Sequence, residues 1–203
     1  MLDGTPAKTI LSRPVYGTLS PQAGKRHLLV ADAEGASAIL DLAMQAPEGF
    51  FASAHIMFVP GRTEDRFQRA LKALKPAQYY EGPSIAAALP RLRQTLANAH
   101  MGTRLYLAGT EGLIGQAMQA ALDAGVDHAS IQTEQRGSLA RRMQCVHCKG
   151  ITENVTTQPA NCSHCGLLLL VRDHYSRRIA AFQGVCINAE DPTEAPQKEE
   201  IFR

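Results

Sequence analysis

No stretch of this chain is apolar for long enough to cross a bilayer. The longest aliphatic run, Leu167 to Val171, covers five residues, against about 20 for a spanning helix. The opening residues, Met1 to Pro6, carry neither the basic nor the apolar region of a signal peptide. An excess of one charge is missing too: 21 basic and 19 acidic residues leave a net charge of +2. No global field therefore draws the chain to nucleic acid or to a membrane surface. Tryptophan is absent and aromatics make up 5% of the residues, with none interleaved among arginines as base-stacking platforms require. There are no internal repeats. What remains is a soluble globular composition, 45% hydrophobic and 20% charged over 203 residues, enough for one good core and a small appendage.

Cysteine is present at fixed spacing. Cys145-Val146-His147-Cys148 and Cys162-Ser163-His164-Cys165 are two C-x₂-C pairs separated by 13 residues. Each turn aims two thiolates at one centre, and together they supply the four ligands of a tetrahedral Zn²⁺. With every position filled by sulfur no reactive water fits, so such a metal holds structure and does no chemistry. Rubredoxin-type iron or an iron–sulfur cluster also accepts four thiolates. His147 and His164 could replace a cysteine, but four cysteines already suffice. Cysteines at metal spacing suit a reducing cytoplasm. Cys186 is left over in an apolar stretch and reads as a small packed hydrophobe.

Residues 1–26 read as a lead-in with Pro6, Pro14 and Pro21. Buried-strand patterns at His27–Ala31, Ala54–Val59, Ala77–Tyr80, Thr103–Ala108 and His128–Thr133 then alternate with helical ones. The helices run from Gly35 to Ala46, through Phe67, Leu71 and Leu74 with Thr63 as N-cap, from Ser84 to Ala99, and from Glu111 to Ala124. Pro90 should kink or divide the third. The alternation predicts an α/β domain over 27–136, with a five-stranded parallel doubly wound sheet. Residues 137–144 read as a basic linker and 145–187 as a small zinc-ribbon module, its hairpin turning at Asp173–Ser176. The Pro- and Glu-rich tail, 188–203, reads as disordered. His174 reads as a hydrogen-bonded turn residue. Leu167 to Val171 either cover the metal module or form a contact surface.

The stretch Arg104 to Leu113, through Ala120–Val126 to Ile131–Glu134, resembles the nicotinamide domain of ferredoxin-reductase-type enzymes. Gly61-Arg62-Thr63-Glu64-Asp65-Arg66 is similar to that family's turn, where an arginine meets the adenosine ribose or its phosphate. The resemblance implies a nucleotide site at Gly35, Arg62, Gly109, Thr110 and Glu111. Its catalytic parts are missing. The first loop, Ala31 to Ser37, holds one glycine and two carboxylates, where the family cradles a pyrophosphate in backbone N–H groups. A carboxylate about 5 Å from a phosphate charge costs on the order of 3 kcal/mol at an effective dielectric of about 20. Ala108 stands where the family has cysteine, and Gln135 and Arg136 follow Glu134 where it has an aromatic. The 26 preceding residues cannot build a flavin barrel. The domain thus reads as a degenerate nucleotide-binding fold, with NADPH a weakly supported cofactor. By themselves Arg62, Glu111 and Glu134 read equally as a solvated charge, a first-turn helix acid and a strand-end charge.

Ser12-Arg13-Pro14-Val15-Tyr16, Leu105 to Thr110, Cys162 to Leu167 and Arg172 to Arg178 together resemble the small A subunits of dimethylamine monooxygenases. These are accessory chains of haem-dependent oxidative N-demethylase complexes. The resemblance runs nearly the whole chain. It implies a non-catalytic docking subunit, partnered by a haem oxygenase subunit and a flavin/iron–sulfur reductase subunit. Haem, FMN and iron–sulfur centres would sit on those partners. Together they would convert dimethylamine to methylamine and formaldehyde with NADPH and oxygen. Two other readings stay open: an NAD(P)H-binding electron-transfer component, and a zinc ribbon meeting nucleic acid through Arg136, Arg141, Arg142, Lys149, Arg172, Arg177 and Arg178. Near-neutral charge and the acidic tail oppose the latter, so no nucleic-acid partner is expected.

Overall fold

The computed structural model describes residues 13–61, 66–191 and 196–203, which form a mixed α/β structure with two five-stranded sheets. The first is built from β1 (Arg26–Asp32), α1 (Gly35–Ala43), β2 (Ala54–Val59), α2 (Arg66–Ala73), β3 (Gln78–Glu81), α3 (Ile85–Ala97), β4 (Thr103–Gly109), α4 (Glu111–Asp123) and β5 (Ile131–Gln135). Its strands are all parallel, in the order β3-β2-β1-β4-β5. Leu29 and Ala31 of β1 join Ile39 and Leu42 of α1 and Leu71 of α2 in one core. Leu28 and Val30 join Leu92 and Leu96 of α3 and Ile114 and Ala117 of α4 in the other. A strand covered on both faces must be apolar on both, which is why His27 to Ala31 shows no polar alternation.

Helix starts follow their capping residues. Ser84 Oγ accepts from the Ala87 N–H at 3.2 Å and Thr110 Oγ1 from the Leu113 N–H at 3.3 Å. Pro90 does not divide α3, which runs from Ile85 to Ala97 with the proline inside it. The expected cap Thr63 lies outside the described residues. Among the described residues no helix is long and apolar enough to cross a membrane.

The second sheet comprises β6 (Arg141–Cys145), β7 (Ile151–Val155), β9 (Ala160–Asn161), β10 (Leu168–Ser176) and β11 (Ala181–Cys186), in the order β7-β6-β11-β10-β9. β8 (Thr157–Gln158) instead pairs with β12 (Glu199–Glu200). Met143, Leu169, Val171 and Phe182 form its core. Leu169 and Val171 are buried while Leu168 and Leu170 are half-exposed, so the leucine run alternates across a strand rather than presenting one apolar face. Cys186 packs against this core.

Four local expectations are corrected. The 137–144 segment is not all linker, because Arg141 and Arg142 already belong to β6 beside β11. The β10/β11 hairpin turns at 177–180; residues 173–176 extend β10 past a bulge between Arg172 and Tyr175, so His174 sits in a strand. The last residues are ordered: β12 pairs with β8, and Phe202 is buried. Residues 17–22 are a strap on β5 rather than a free lead-in. The Gly17 N–H donates to Thr133 O (2.9 Å), the Leu19 N–H to Glu134 Oε2 (2.7 Å) and the Ser20 N–H to Gln132 Oε1 (2.8 Å). Leu19 enters the core on one face of the sheet and Tyr16 packs against the core on the other.

Candidate functional site

Two equivalent turns bring the four cysteines together. In the first, the Lys149 N–H donates to Cys145 O and the Cys145 N–H to Gly150 O, both at 3.0 Å. In the second, the Gly166 N–H donates to Cys162 O at 3.0 Å and the Cys162 N–H to Leu167 O at 2.9 Å. The four Sγ atoms lie within 4.8 Å of one another, with Cys145–Cys165 at 3.8 Å and Cys148–Cys162 at 3.6 Å. Those separations are far longer than a disulfide. They match the roughly 3.8 Å edge of a tetrahedron whose sulfurs stand about 2.3 Å from a central ion. An iron–sulfur cluster would interpose further atoms and hold the cysteines farther apart. This arrangement could hold a single metal ion.

The thiol electrostatics call for a cation. Burial favours the neutral Cys162 thiol, yet the N–H groups of Cys165 and His164 and the Cys148 thiol outweigh it and hold the group down to about 6. The Leu167 N–H favours the Cys165 thiolate, but burial and the three neighbouring sulfurs push that group up to about 12. Four sulfurs so close cannot all ionise unless positive charge sits among them. Neither knuckle histidine belongs to the cluster. His164 Nε2 lies 2.8 Å from Ile151 O, and His147 is exposed.

Of the five predicted nucleotide residues, Gly35, Gly109 and Thr110 lie together at the carboxyl ends of β1 and β4, where the strand order reverses and a crevice is expected. Gly35 opens α1 so closely under β4 that a Cβ would stand 2.3 Å from Ala108 O. Gly109 ends β4 at φ +126°, and a Cβ there would stand 1.8 Å from Asp32 Oδ1. Asp32 itself fills the crevice. Its Oδ1 accepts from the Thr110 N–H at 2.8 Å and its Oδ2 from the Thr110 hydroxyl at 2.6 Å. The N-terminus of α4, where a phosphate would dock, already carries a carboxylate. Burial raises the Asp32 pKa, and the Thr110 hydrogen bonds pull it part of the way back. Arg62 lies outside the described residues.

Glu111 turns away from this group toward the second sheet. It accepts from the Tyr16 hydroxyl at 3.2 Å. Burial raises its pKa, against the Tyr16 hydrogen bond. Tyr16 and Tyr175 are themselves raised by burial and by the Glu111 charge, Tyr175 to about 12. Beside them the Arg141 guanidinium is clamped between the rings of Phe182 and Phe202, at 4.2 and 4.1 Å, and donates to Asp173 at 2.6 Å. Across the junction, Gln119 Nε2 donates to Arg178 O at 2.6 Å. A Cβ on Gly115 would fall 2.3 Å from the Tyr175 hydroxyl. Nothing local in the chain signals this junction beyond a glycine inside a helix.

Residues 8–131 match the N-terminal domain, and residues 142–185 the C-terminal domain, of the dimethylamine monooxygenase subunit DmmA-like family. Over 117 residues the chain is 33% identical to the heme-dependent oxidative N-demethylase delta subunit of Ectopseudomonas mendocina (strain ymp). That match covers 57% of this chain and 66% of the relative, just under two thirds of its length. No solved structure matches the chain. The N-terminal match alone spans more than half of the residues, and the chain belongs to the dimethylamine monooxygenase subunit DmmA-like family.

Proposed function

We propose that this chain is an accessory, non-catalytic subunit of a haem-dependent oxidative N-demethylase, docking a reductase subunit against a haem oxygenase subunit. The complex would convert dimethylamine to methylamine and formaldehyde with NADPH and oxygen. The observation that carries the non-catalytic reading is Asp32 seated on Thr110. A nucleotide phosphate at α4 would have to displace a buried, doubly bonded carboxylate. The kinship to a delta subunit supports membership in a complex. The α/β domain is thus a doubly wound, reductase-like frame that serves as a docking body. The C-terminal module is a zinc ribbon in which Cys145, Cys148, Cys162 and Cys165 hold one structural Zn²⁺.

The test is an affinity pull-down of the tagged chain from its native cells grown on an amine as nitrogen source. The expected eluate contains two larger partner chains and shows a haem Soret band. A colourless, lone chain overturns the proposal. Elemental analysis of the same sample reads the metal, with one zinc per chain expected and iron the contrary result.

A further inference from the structure

Along its second half, α3 carries a polar, largely exposed stripe at the edge of its sheet-facing side. Arg91, Gln94, Thr95 and Asn98 stand at the spacing of one helical face, directly beside the buried Leu92 and Leu96. Together with Arg26 and His55, from the amino ends of β1 and β2, they line a cavity of about 510 Å³. This is the end of the sheet opposite the Asp32 crevice.

The charge is one-sided. Lys25, Arg26 and Arg91 line the cavity, and no Asp or Glu does. Some arginines outside the cavity are paired, Arg136 with Glu134 and Asp41, Arg141 with Asp173 and Arg142 with Glu153. Among the described residues none of the three cavity cations forms an ion pair. Arg91 has only the Tyr80 ring, 5.7 Å away. The carboxyl end of α3 contributes about half a negative charge here, which offsets part of the three cations and leaves a net positive hollow. Burial, and then the Arg91 charge, hold the His55 pKa below the usual imidazole range.

We propose that this cavity is a binding site for a small polyanion carrying phosphate or several carboxylates. Arg26 and Arg91 would supply forked hydrogen bonds, and Gln94 and Asn98 would fix the orientation. The inference stands on the cavity alone and does not depend on the docking role.

The test titrates the full chain calorimetrically with pyrophosphate and, separately, with citrate at low ionic strength. At least one should bind with a Kd below about 1 mM, and which one binds tells phosphate from carboxylate. Arg91→Ala and Arg26→Ala should each weaken binding by roughly tenfold or more. Arg69→Ala, an exposed arginine of α2, makes the same change of charge and should leave binding within about twofold. Circular dichroism of each variant confirms the fold. Absence of binding by both anions overturns the proposal, as does an Arg69→Ala loss equal to that of Arg91→Ala. Binding of a poly-glutamate peptide without either small anion also overturns it, and would make the hollow a dock for an acidic protein segment.

Discussion

Asp32 and Thr110 stand 78 residues apart and meet through two hydrogen bonds, one from the Thr110 N–H and one from its hydroxyl. The contact ties the end of β1 to the first turn of α4. It puts a buried carboxylate where the helix dipole favours an anion. Removing it by Asp32→Ala leaves two half-buried donors without their carboxylate and should cost about 1–3 kcal/mol in urea denaturation. Asp32→Asn keeps the bond from the Thr110 N–H through Oδ1 and restores the second only in reverse, with Nδ2 donating to Thr110 Oγ1, and should cost about 1 kcal/mol. Gly109→Ala, with its Cβ driven into Asp32 at a positive φ, should cost at least as much as Asp32→Ala. Equal stability of all three variants would refute the tie.

Asp32 and Glu111 also set a pH dependence. Burial raises both carboxyls above their ordinary values. Between the ordinary carboxylate range and those raised values, the folded chain holds more protons than the unfolded one. Stability contributed by these two groups therefore falls as pH rises through that window. In the variant Asp32→Asn together with Glu111→Gln, the slope of stability against pH between about 4 and 6 should become more positive. An unchanged slope would contradict the buried placement.

With the proposed structural metal held by the four sulfurs, the C-terminal module would depend on that ion. Cys145→Ser, or removal of the ion by a chelator, should unfold β6 to β11, since so small a core has little else to hold it. Amide-exchange protection should be lost there and persist in β1 to β5. If the whole chain unfolds together, the two sheets fold as one unit and the division at the junction is wrong.

Gly115 sits where that junction is tightest. Gly115→Ala gains about 1 kcal/mol of helix propensity, yet places a methyl against the Tyr175 hydroxyl and Ala180. The expected result is a hairpin lifted off α4: faster exchange at 175–182, with the parallel sheet unaffected. Enhanced stability without that change would show that Tyr175 simply rotates away.

How much of this was legible in the sequence depends on how local the signal is. The β1-to-α4 alternation was readable because β1, β2 and most of β4 are apolar runs and α3 and α4 carry their own caps, Ser84 and Thr110. The cysteine spacing was readable because ligation needs only the two turns. The strap at 17–22 has no period. It is held one residue at a time by Gln132, Thr133 and Glu134, more than 100 positions away. Arg141 reads as a connector charge until Phe182 and Phe202 close on it from the far end of the chain. Glu111 resembles a ligand residue by motif, and only the fold shows it bonded to Tyr16.

That clamp on Arg141 makes the last residues part of the module's core. Phe202→Ala removes one ring from a buried guanidinium, which should cost about 1–2 kcal/mol, measured as a lower midpoint in denaturant. Arg141→Lys keeps the charge but neither stacks nor forks, and should cost a similar amount. A silent Phe202→Ala would show the C-terminal contact to be incidental.

The two knuckles share one backbone turn but differ in the residue that follows the second cysteine. After the second cysteine of each pair the backbone turns left-handed, at φ +63° in Lys149 and +77° in Gly166. Glycine adopts that conformation freely, whereas a side chain strains it by about 1–2 kcal/mol. No atom lies within 4 Å of a Cβ built on Gly166, so Gly166→Ala isolates the backbone cost and should destabilise the metal-loaded module by about 1 kcal/mol. Lys149→Gly relieves the same strain in the first knuckle but gives up the Lys149 Nζ bond to Val146 O and loosens the unfolded chain. The balance should be a gain of no more than about 1 kcal/mol. Chelator competition for the metal reads both variants. Opposite signs for the two substitutions are expected, and equal losses would mean that Lys149 holds its knuckle through its side chain rather than enduring it through its backbone.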